Sequence, residues 1–392
     1  RPGRAKKVEL GWPVSTLTLR QDGEERTVTA RWLIDASGRD SFLARKLDLR
    51  RSVEDHPTAA MYGRWTGARD LDGREINGGD PRSARLDPIS ASRRLATNHF
   101  VGYGWWCWVI PLSNGNTSIG VVYNKELYQP PGEGSLRQRY ERFVRTTPGL
   151  RDLVQNAEVD GKDFMALPDL PYYSERYMDR GWALVSDAAS FLDPYYSPGL
   201  DHASISIYAT ARLVEKDLRG ELSGDALEAE VATHNRAFTT SYRRWLEALY
   251  VGKYEILGDA DLTRCAFLMD TALYYLGVVT PIYRDLETMG NPLFSPEQVQ
   301  GTLAWRFMRA FNRRLQGLAR FRREAGLYGK NNIGLKAYSK SFDLGPRAAV
   351  PHLRRAAGIW LRLEWERVWH RARGGPKRAR GGALTEPTST TA

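Results

Sequence analysis

The sequence has little cysteine and little histidine, with two and six residues in 392. Cys107 and Cys265 make no Cys-x-x-Cys pair and are too few for a disulfide framework. The scattered histidines show no metal-ligand spacing. We read no secretory signal and no apolar run long enough to span a bilayer, so the expectation is a reduced, soluble, cytoplasmic protein. A Gly-x-Ser-x-Gly elbow is absent, which sets aside the common hydrolase arrangement, and no internal repeat is visible. The Gly-x-Gly-x-x-Gly fingerprint of dinucleotide-binding strand-helix units is also missing.

What is present is an ordinary globular composition, long enough for a large core and several domains. Tryptophan and tyrosine are plentiful, at 12 and 19 residues, which suits either an aromatic core or a site for flat ligands. The net charge of +11 first points to nucleic acid or membrane. Much of it lies in the terminal groups Arg1, Arg4, Lys6, Lys7 and Arg371, Arg373, Lys377, Arg378, Arg380, where solvated tails account for it and the nucleic-acid reading falls.

Two runs, 14–20 and 26–34, flank Asp22-Gly23 and predict a hairpin. The second run ends in Asp35-Ala36-Ser37-Gly38-Arg39, with a short helix expected from Ser41 to Leu47. Strands are expected over 58–66 and within 98–123, where Ser113-Asn114-Gly115-Asn116 marks a turn. Residues 67–85 and Pro88 read as loop, and 135–156 as helix. The apolar run Trp182–Val185 enters Ser186-Asp187-Ala188, and a helix is expected from about 200 to 218 with Leu200, Ala203, Ile207, Ala211 and Val214 on its core face. From about 225 to 372 the pattern is helical. It includes a long helix with Val299, Leu303, Phe307, Phe311, Leu315 and Leu318 on one side and arginines, Arg322 among them, on the others. Such a basic amphipathic helix is either a solvated face or a membrane-resting one. Residues 374–392 read as disordered.

Asp35–Arg39 alone could be any tight strand-to-helix turn. An aspartate at 187 could cap a helix or accept hydrogen bonds from ribose or ribityl hydroxyls. Taken in order, these two segments resemble the second and third flavin-contacting segments of the FAD-dependent hydroxylase superfamily. Two further motifs narrow the resemblance. Trp106-Cys107-Trp108-Val109-Ile110-Pro111 matches the Trp-x-Trp-x-Ile-Pro signature of flavin-dependent halogenases, and Phe191-Leu192-Asp193-Pro194-Tyr195-Tyr196-Ser197-Pro198-Gly199 matches their Phe-x-x-Pro-x-x-Ser-x-Gly pattern. The resemblance covers residues 14–220 well, and the helical remainder by general character only.

The resemblance implies an α/β fold: an FAD-binding dinucleotide-type sheet, incomplete at the amino terminus, with a substrate-covering antiparallel sheet and a helical carboxy-terminal region. The implied division is 1–50 and 180–220 for the FAD-binding part, 51–179 for the covering sheet, 221–372 for the helices and 373–392 for a tail. Cofactor contacts fall on Asp35, Ala36, Ser37, Gly38, Asp187, Ala188, Pro194, Ser197, Gly199 and Leu200. Trp106, Trp108, Ile110, Pro111, Phe191 and Tyr196 line the substrate side, where bulky rings would let the oxidant formed at the flavin meet halide before substrate. The implied chemistry halogenates or hydroxylates an electron-rich aromatic, free or tethered to a carrier protein, using O₂ and reduced FAD from a separate flavin reductase. Alternatives are a hydroxylase or geranylgeranyl-reductase-like enzyme without halide use, and a non-catalytic membrane-peripheral protein.

Three departures stand out. The missing glycine fingerprint leads us to expect an amino-terminal truncation, with the family's catalytic lysine lying in the missing part. Pro198 has no N–H where the family holds halide with backbone N–H groups just after the motif serine. Tyr196 replaces the glutamate of the tryptophan-halogenating branch. Asp201 and His202 follow the loop, either as cap and pocket lining or, with His202 as the weak catalytic candidate, as a proton-transfer pair.

Overall fold

The computed structural model describes residues 4–71, 95–332 and 346–373. The reading of residues 72–85, Pro88 and 374–392 lies outside the described residues. Strands and helices are numbered in chain order.

The hairpin forms as expected and gains a partner. Strands β1 (Arg4–Glu9), β2 (Ser15–Gln21) and β3 (Glu24–Ala30) make an antiparallel sheet. Asp22 and Gly23 both have positive φ, 54° and 90°, as a two-residue turn matching strand twist requires. The expected strand 26–34 is split, however. The chain bends at Arg31-Trp32, and β4 (Leu33–Asp35) enters another sheet. Asp217 fixes the bend by accepting from Arg31 Nε and Nη2, each at 2.7 Å, and from Trp32 Nε1 at 2.8 Å. Alternation in the sequence could not show that this distant carboxylate takes both side chains.

After the short helix α1 (Phe42–Lys46), β5 (Arg50–Ser52) pairs with β12 (Tyr172–Ser174). The large antiparallel sheet holds β6 (Thr58–Thr66), β7 (Asn98–Gly102), β8 (Trp105–Pro111) and β9 (Asn116–Asn124) in the order β6-β9-β8-β7. Two short strands, β10 (Glu158–Val159) and β11 (Met165–Leu167), pair with β6. Side chains alternate between its faces. Met61, Cys107, Val109, Ile119 and Val121 pack with Tyr140, Phe143 and Val144 of α2 (Leu136–Thr146) and with α3 (Leu150–Leu153). Ala60, Trp106, Trp108 and Val122 face the opposite way, into the core shared with the carboxy-terminal helices.

Two glycines let indoles lie across this sheet. A Cβ at Gly120 would sit 2.1 Å from the Trp108 ring paired opposite it, and one at Gly102 would sit 2.3 Å from Trp105.

β13 (Met178–Asp179) and β14 (Trp182–Leu184) complete a small sheet in the order β13-β14-β4. β14 and β4 run parallel, with Leu184 opposite Asp35. Helix α4 (Gly199–Leu218) packs beside them with a buried face different from the expected stripe. Ile205, Ser206, Ala209, Thr210, Leu213 and Asp217 are buried, whereas Leu200 and Ile207 are 82% and 50% exposed. Two of the polar residues on that face are held by partners: Ser206 Oγ accepts from Ser186 N–H at 2.9 Å, and Asp217 holds the Arg31 bend.

The carboxy-terminal region is helical as expected: α5 (Gly224–Trp245), α6 (Ala260–Tyr274), α7 (Thr280–Arg284), α8 (Val299–Glu324) and α9 (Pro346–Ala372), with π-helical turns at Leu246–Tyr250 and Tyr275–Val279. On α8 only Phe311, Leu315 and Leu318 of the expected stripe are buried, and Val299, Leu303 and Phe307 are exposed. Arg322, expected at the surface, is buried with Asp259 2.9 Å from its Nε. One segment overturns the sequence reading of bilayer spans. Ala260–Arg284 is long and apolar enough to cross a membrane. Here it packs against α8 and α9, with Leu262, Cys265, Ala266, Leu268 and Met269 buried.

Candidate active site

The carboxyl ends of the parallel pair β4 and β14 bring together two segments that are far apart in sequence. Ligands bind at such strand ends in open α/β sheets, because the loops there diverge and expose backbone donors. Val185 N–H donates to Asp35 O at 3.0 Å and holds the two loops side by side. The Asp35 carboxylate is taken up locally, accepting from Ser37 N–H at 2.9 Å and Leu43 N–H at 2.7 Å. Asp35 therefore shapes the loop, while Ala36 and Ser37 are exposed and Gly38, at φ 63°, has open space where a Cβ would stand.

Asp187 is half-buried, and burial raises its carboxyl above the usual range, opposed by Arg39 and a hydrogen bond from Ser186. Its side chain caps no backbone N–H among the described residues, so the helix-capping alternative is not the one adopted. Ala188 beside it is buried. Tyr172 donates to the Asp187 carbonyl at 2.6 Å and anchors the loop from below. Arg39 donates to the carbonyls of Leu170 and Asp169, and its guanidinium lies 4.9 Å from the Phe191 ring centre.

The two family-like motifs meet through residues that the sequence did not single out. Trp106 Nε1 donates to the Tyr254 hydroxyl at 2.9 Å, and Tyr254 donates to Asp193 Oδ2 at 2.7 Å. Asp193 is buried; its other oxygen accepts from Tyr195 N–H at 2.9 Å, and His56 Nε2 lies 2.9 Å from Oδ2. Trp106 also touches Trp108 and Tyr195, at ring-centre distances of 5.7 and 5.3 Å. The Trp108 indole donates to Ser118 Oγ at 3.1 Å. Ile110 and Pro111 stand at the far end of β8, next to the turn, outside this aromatic core.

The motif loop is tightly curled. Tyr196 and Ser197 have φ of 72° and 55°, a left-handed backbone that side chains seldom adopt. Ser197 N–H donates back to Pro194 O at 2.9 Å. Tyr250 donates to Tyr195 O at 2.8 Å, and the Tyr196 hydroxyl donates to Asp270 at 2.8 Å. Beneath it, Lys253 Nζ bonds Asp270 at 2.6 Å and Asn312 at 2.8 Å, a buried ion pair with its hydrogen bonds supplied. An acid and a lysine within otherwise apolar helical segments were the available sequence signal for this pair.

After the loop, Gly199 and Leu200 are exposed in the first turn of α4, whose N–H groups have no intrahelical acceptor. Asp201 accepts from Tyr274 at 3.0 Å, and burial raises its carboxyl. His202 packs its ring 5.2 Å from Trp245, and burial lowers its pKa to about 4. It is therefore neutral at pH 7 and a weak proton acceptor.

No protein-family profile matches the chain. Among curated proteins, it is 29% identical over 245 residues to a sulochrin halogenase of Aspergillus terreus, covering 61% of this chain and 41% of that relative. It is 28% identical over 248 residues to a flavin-dependent halogenase of Armillaria mellea, covering 60% and 44%. The chain thus spans about half or less of the length of these relatives. Among solved structures, the halogenase PltM in complex with phloroglucinol and FAD superposes with a TM-score of 0.62 at 17% identity, over 93% of this chain and 69% of that one. The brominase Bmp2 triple mutant gives 0.52 at 22% identity, over 80% and 71%. Over about three fifths of its length this chain is similar to flavin-dependent halogenases, and its fold is like that of the halogenase PltM.

Proposed function

We propose that this chain is part of an FAD-dependent oxidoreductase of the halogenase type that modifies an electron-rich aromatic substrate. The observation that carries the reading is the junction of the two motifs, Trp106 to Tyr254 to Asp193, beside the carboxyl ends of β4 and β14. The residues present fit a flavin. Exposed Ala36 and Ser37, and Gly38 with open space where a Cβ would stand, permit close backbone approach, and the half-buried Asp187 carboxylate is free of capping duty. The first-turn donors of α4 at Gly199 and Leu200 suit an electron-rich ring edge or an anion. Bound and reduced, FAD supplies the electrons with which O₂ becomes an oxidant.

The chain's own residues bind, orient and exclude water. Trp106 and Trp108 pack with Tyr195 of the motif loop on the sheet face that meets the carboxy-terminal helices. Halide, if used, meets a changed loop: Pro198 has no N–H, and Ser197 N–H is already spent on Pro194 O. The remaining candidates to hold an anion are the N–H groups of Gly199 and Leu200.

The sulochrin relative and the phloroglucinol-bound fold neighbour support a phenolic substrate. We include in the proposal a separate flavin reductase, a cytoplasmic setting, and a substrate that is free or carried on a protein. The test supplies phloroglucinol, O₂, FAD and a flavin reductase, with chloride, bromide or neither, and reads products by mass spectrometry. A halogenated product is expected. A halide-independent hydroxylated product would convert the reading to a hydroxylase, and unmodified phloroglucinol in all three would contradict it.

A further inference from the structure

One histidine on the substrate-facing side of the large sheet is unaccounted for by the motifs. His99 lies on β7 directly opposite Trp108 in the β7–β8 register. Its ring meets Trp106 edge-on at 5.1 Å and Tyr195 at 5.7 Å between ring centres. The residue is nevertheless exposed. Unlike His56, whose Nε2 is bound to Asp193, His99 has no hydrogen-bond partner on either ring nitrogen among the described residues. It is a polar group at the exposed rim of an aromatic cluster whose Trp106 and Tyr195 rings are themselves buried.

We propose that His99 is the hydrogen-bond acceptor for the hydroxyl of a phenolic substrate whose ring packs beside the half-buried Trp108, at the rim of the aromatic cluster that Trp106 and Tyr195 complete. A neutral imidazole offers one lone pair and one N–H, which matches a phenol's hydroxyl in either direction. Packing against the rings lowers the His99 pKa, which keeps the lone pair available at neutral pH. The Trp108 ring supplies flat apolar contact, and the imidazole supplies the single placed polar group that fixes orientation, the usual division of labour in a small-molecule site. A ligand with a ring and no hydroxyl would gain only the apolar part. The inference rests on the reading above for the sidedness of the site. Its test is binding alone, measured without flavin.

Isothermal titration of the whole chain with resorcinol and with its dimethyl ether, 1,3-dimethoxybenzene, separates the two contributions. The unsubstituted protein is expected to bind resorcinol roughly ten-fold more tightly than the ether, the worth of about one neutral hydrogen bond. His99→Phe is expected to abolish that preference while leaving affinity for the ether unchanged, and His99→Gln to restore most of it. The inference is overturned if His99→Phe binds resorcinol as the parent does, if it loses both ligands equally, or if the parent binds neither. FAD titration of the same three proteins is read separately. Intact FAD binding with no effect of His99→Phe on resorcinol sinks this inference alone. Absent FAD binding with the resorcinol pattern intact sinks the flavin reading and supports the phenol site.

Discussion

The indole N–H of Trp106 donates to the hydroxyl of Tyr254 at 2.9 Å, and through it the strand motif is tied to the buried Asp193 of the loop motif. Tyr254 comes from the carboxy-terminal helical region, in the turn Lys253–Glu255. Its carbonyl also accepts from Gly104 N–H at 3.0 Å, so the same residue holds the β7–β8 turn. The distance between the tryptophan pair and the loop is therefore set by a third element.

Tyr254→Phe keeps the ring and removes the bridge. The Trp106 N–H and one lone pair of Asp193 lose their partner inside the core, and a destabilisation of roughly 1–3 kcal/mol is expected in chemical denaturation. A variant as stable as the parent would show that the bridge carries little.

Gly120→Ala tests the Trp108 packing. The new Cβ would lie 2.1 Å from the indole, with the ring and not a flexible chain end in the way. The indole must move or the sheet must bend, at a cost of about 1–3 kcal/mol, and tryptophan fluorescence should shift with it. Unchanged fluorescence and stability would contradict the close packing of Trp108 on β9.

The buried pair beneath Tyr196 should respond asymmetrically. Lys253→Met strands Asp270 without a countercharge and is expected to cost about 3–5 kcal/mol, whereas Lys253→Met combined with Asp270→Leu recovers much of it. Equal losses in the single and double variants, read by urea denaturation, would mean that the ionic contact is not what the site needs.

His234 is buried beside Phe238, with their ring centres 4.4 Å apart, and burial lowers its pKa to about 4. The folded state resists its protonation, while the unfolded chain protonates it near pH 6.5. Between those values the unfolded state binds more protons, so this contribution to stability is present above about pH 6.5 and is lost as pH falls towards 4. His234→Phe should flatten that part of the stability profile. An unchanged slope between pH 6.5 and 4 would count against a neutral buried imidazole.

Much of the frame was legible in the sequence because local signals and periodicity specify it. Asp22-Gly23 fixed the first hairpin, and the alternation in 58–66 and 98–123 marked the large sheet. Where polar residues sit in the core, the reading failed for a physical reason. Ser206 and Asp217 are buried on α4 because Ser186 N–H and Arg31 meet them, and Arg322 is buried because Asp259 does. Hydrophobic periodicity assigns all three to the surface. Residues at fixed motif positions could be named in advance as site candidates. His56, Asp193, Lys253, Tyr254 and Asp270 could not, since their importance exists only once distant segments touch.

We propose that the strand-end loops of β4 and β14 hold FAD with Asp187 as a direct contact. Quenching of FAD fluorescence on titration with the protein measures this most directly, comparing the parent with Asp187→Ala. Saturable binding, weakened roughly ten-fold by loss of a charged hydrogen-bond acceptor, is the expected result. No saturation, or equal affinity in Asp187→Ala, would contradict it.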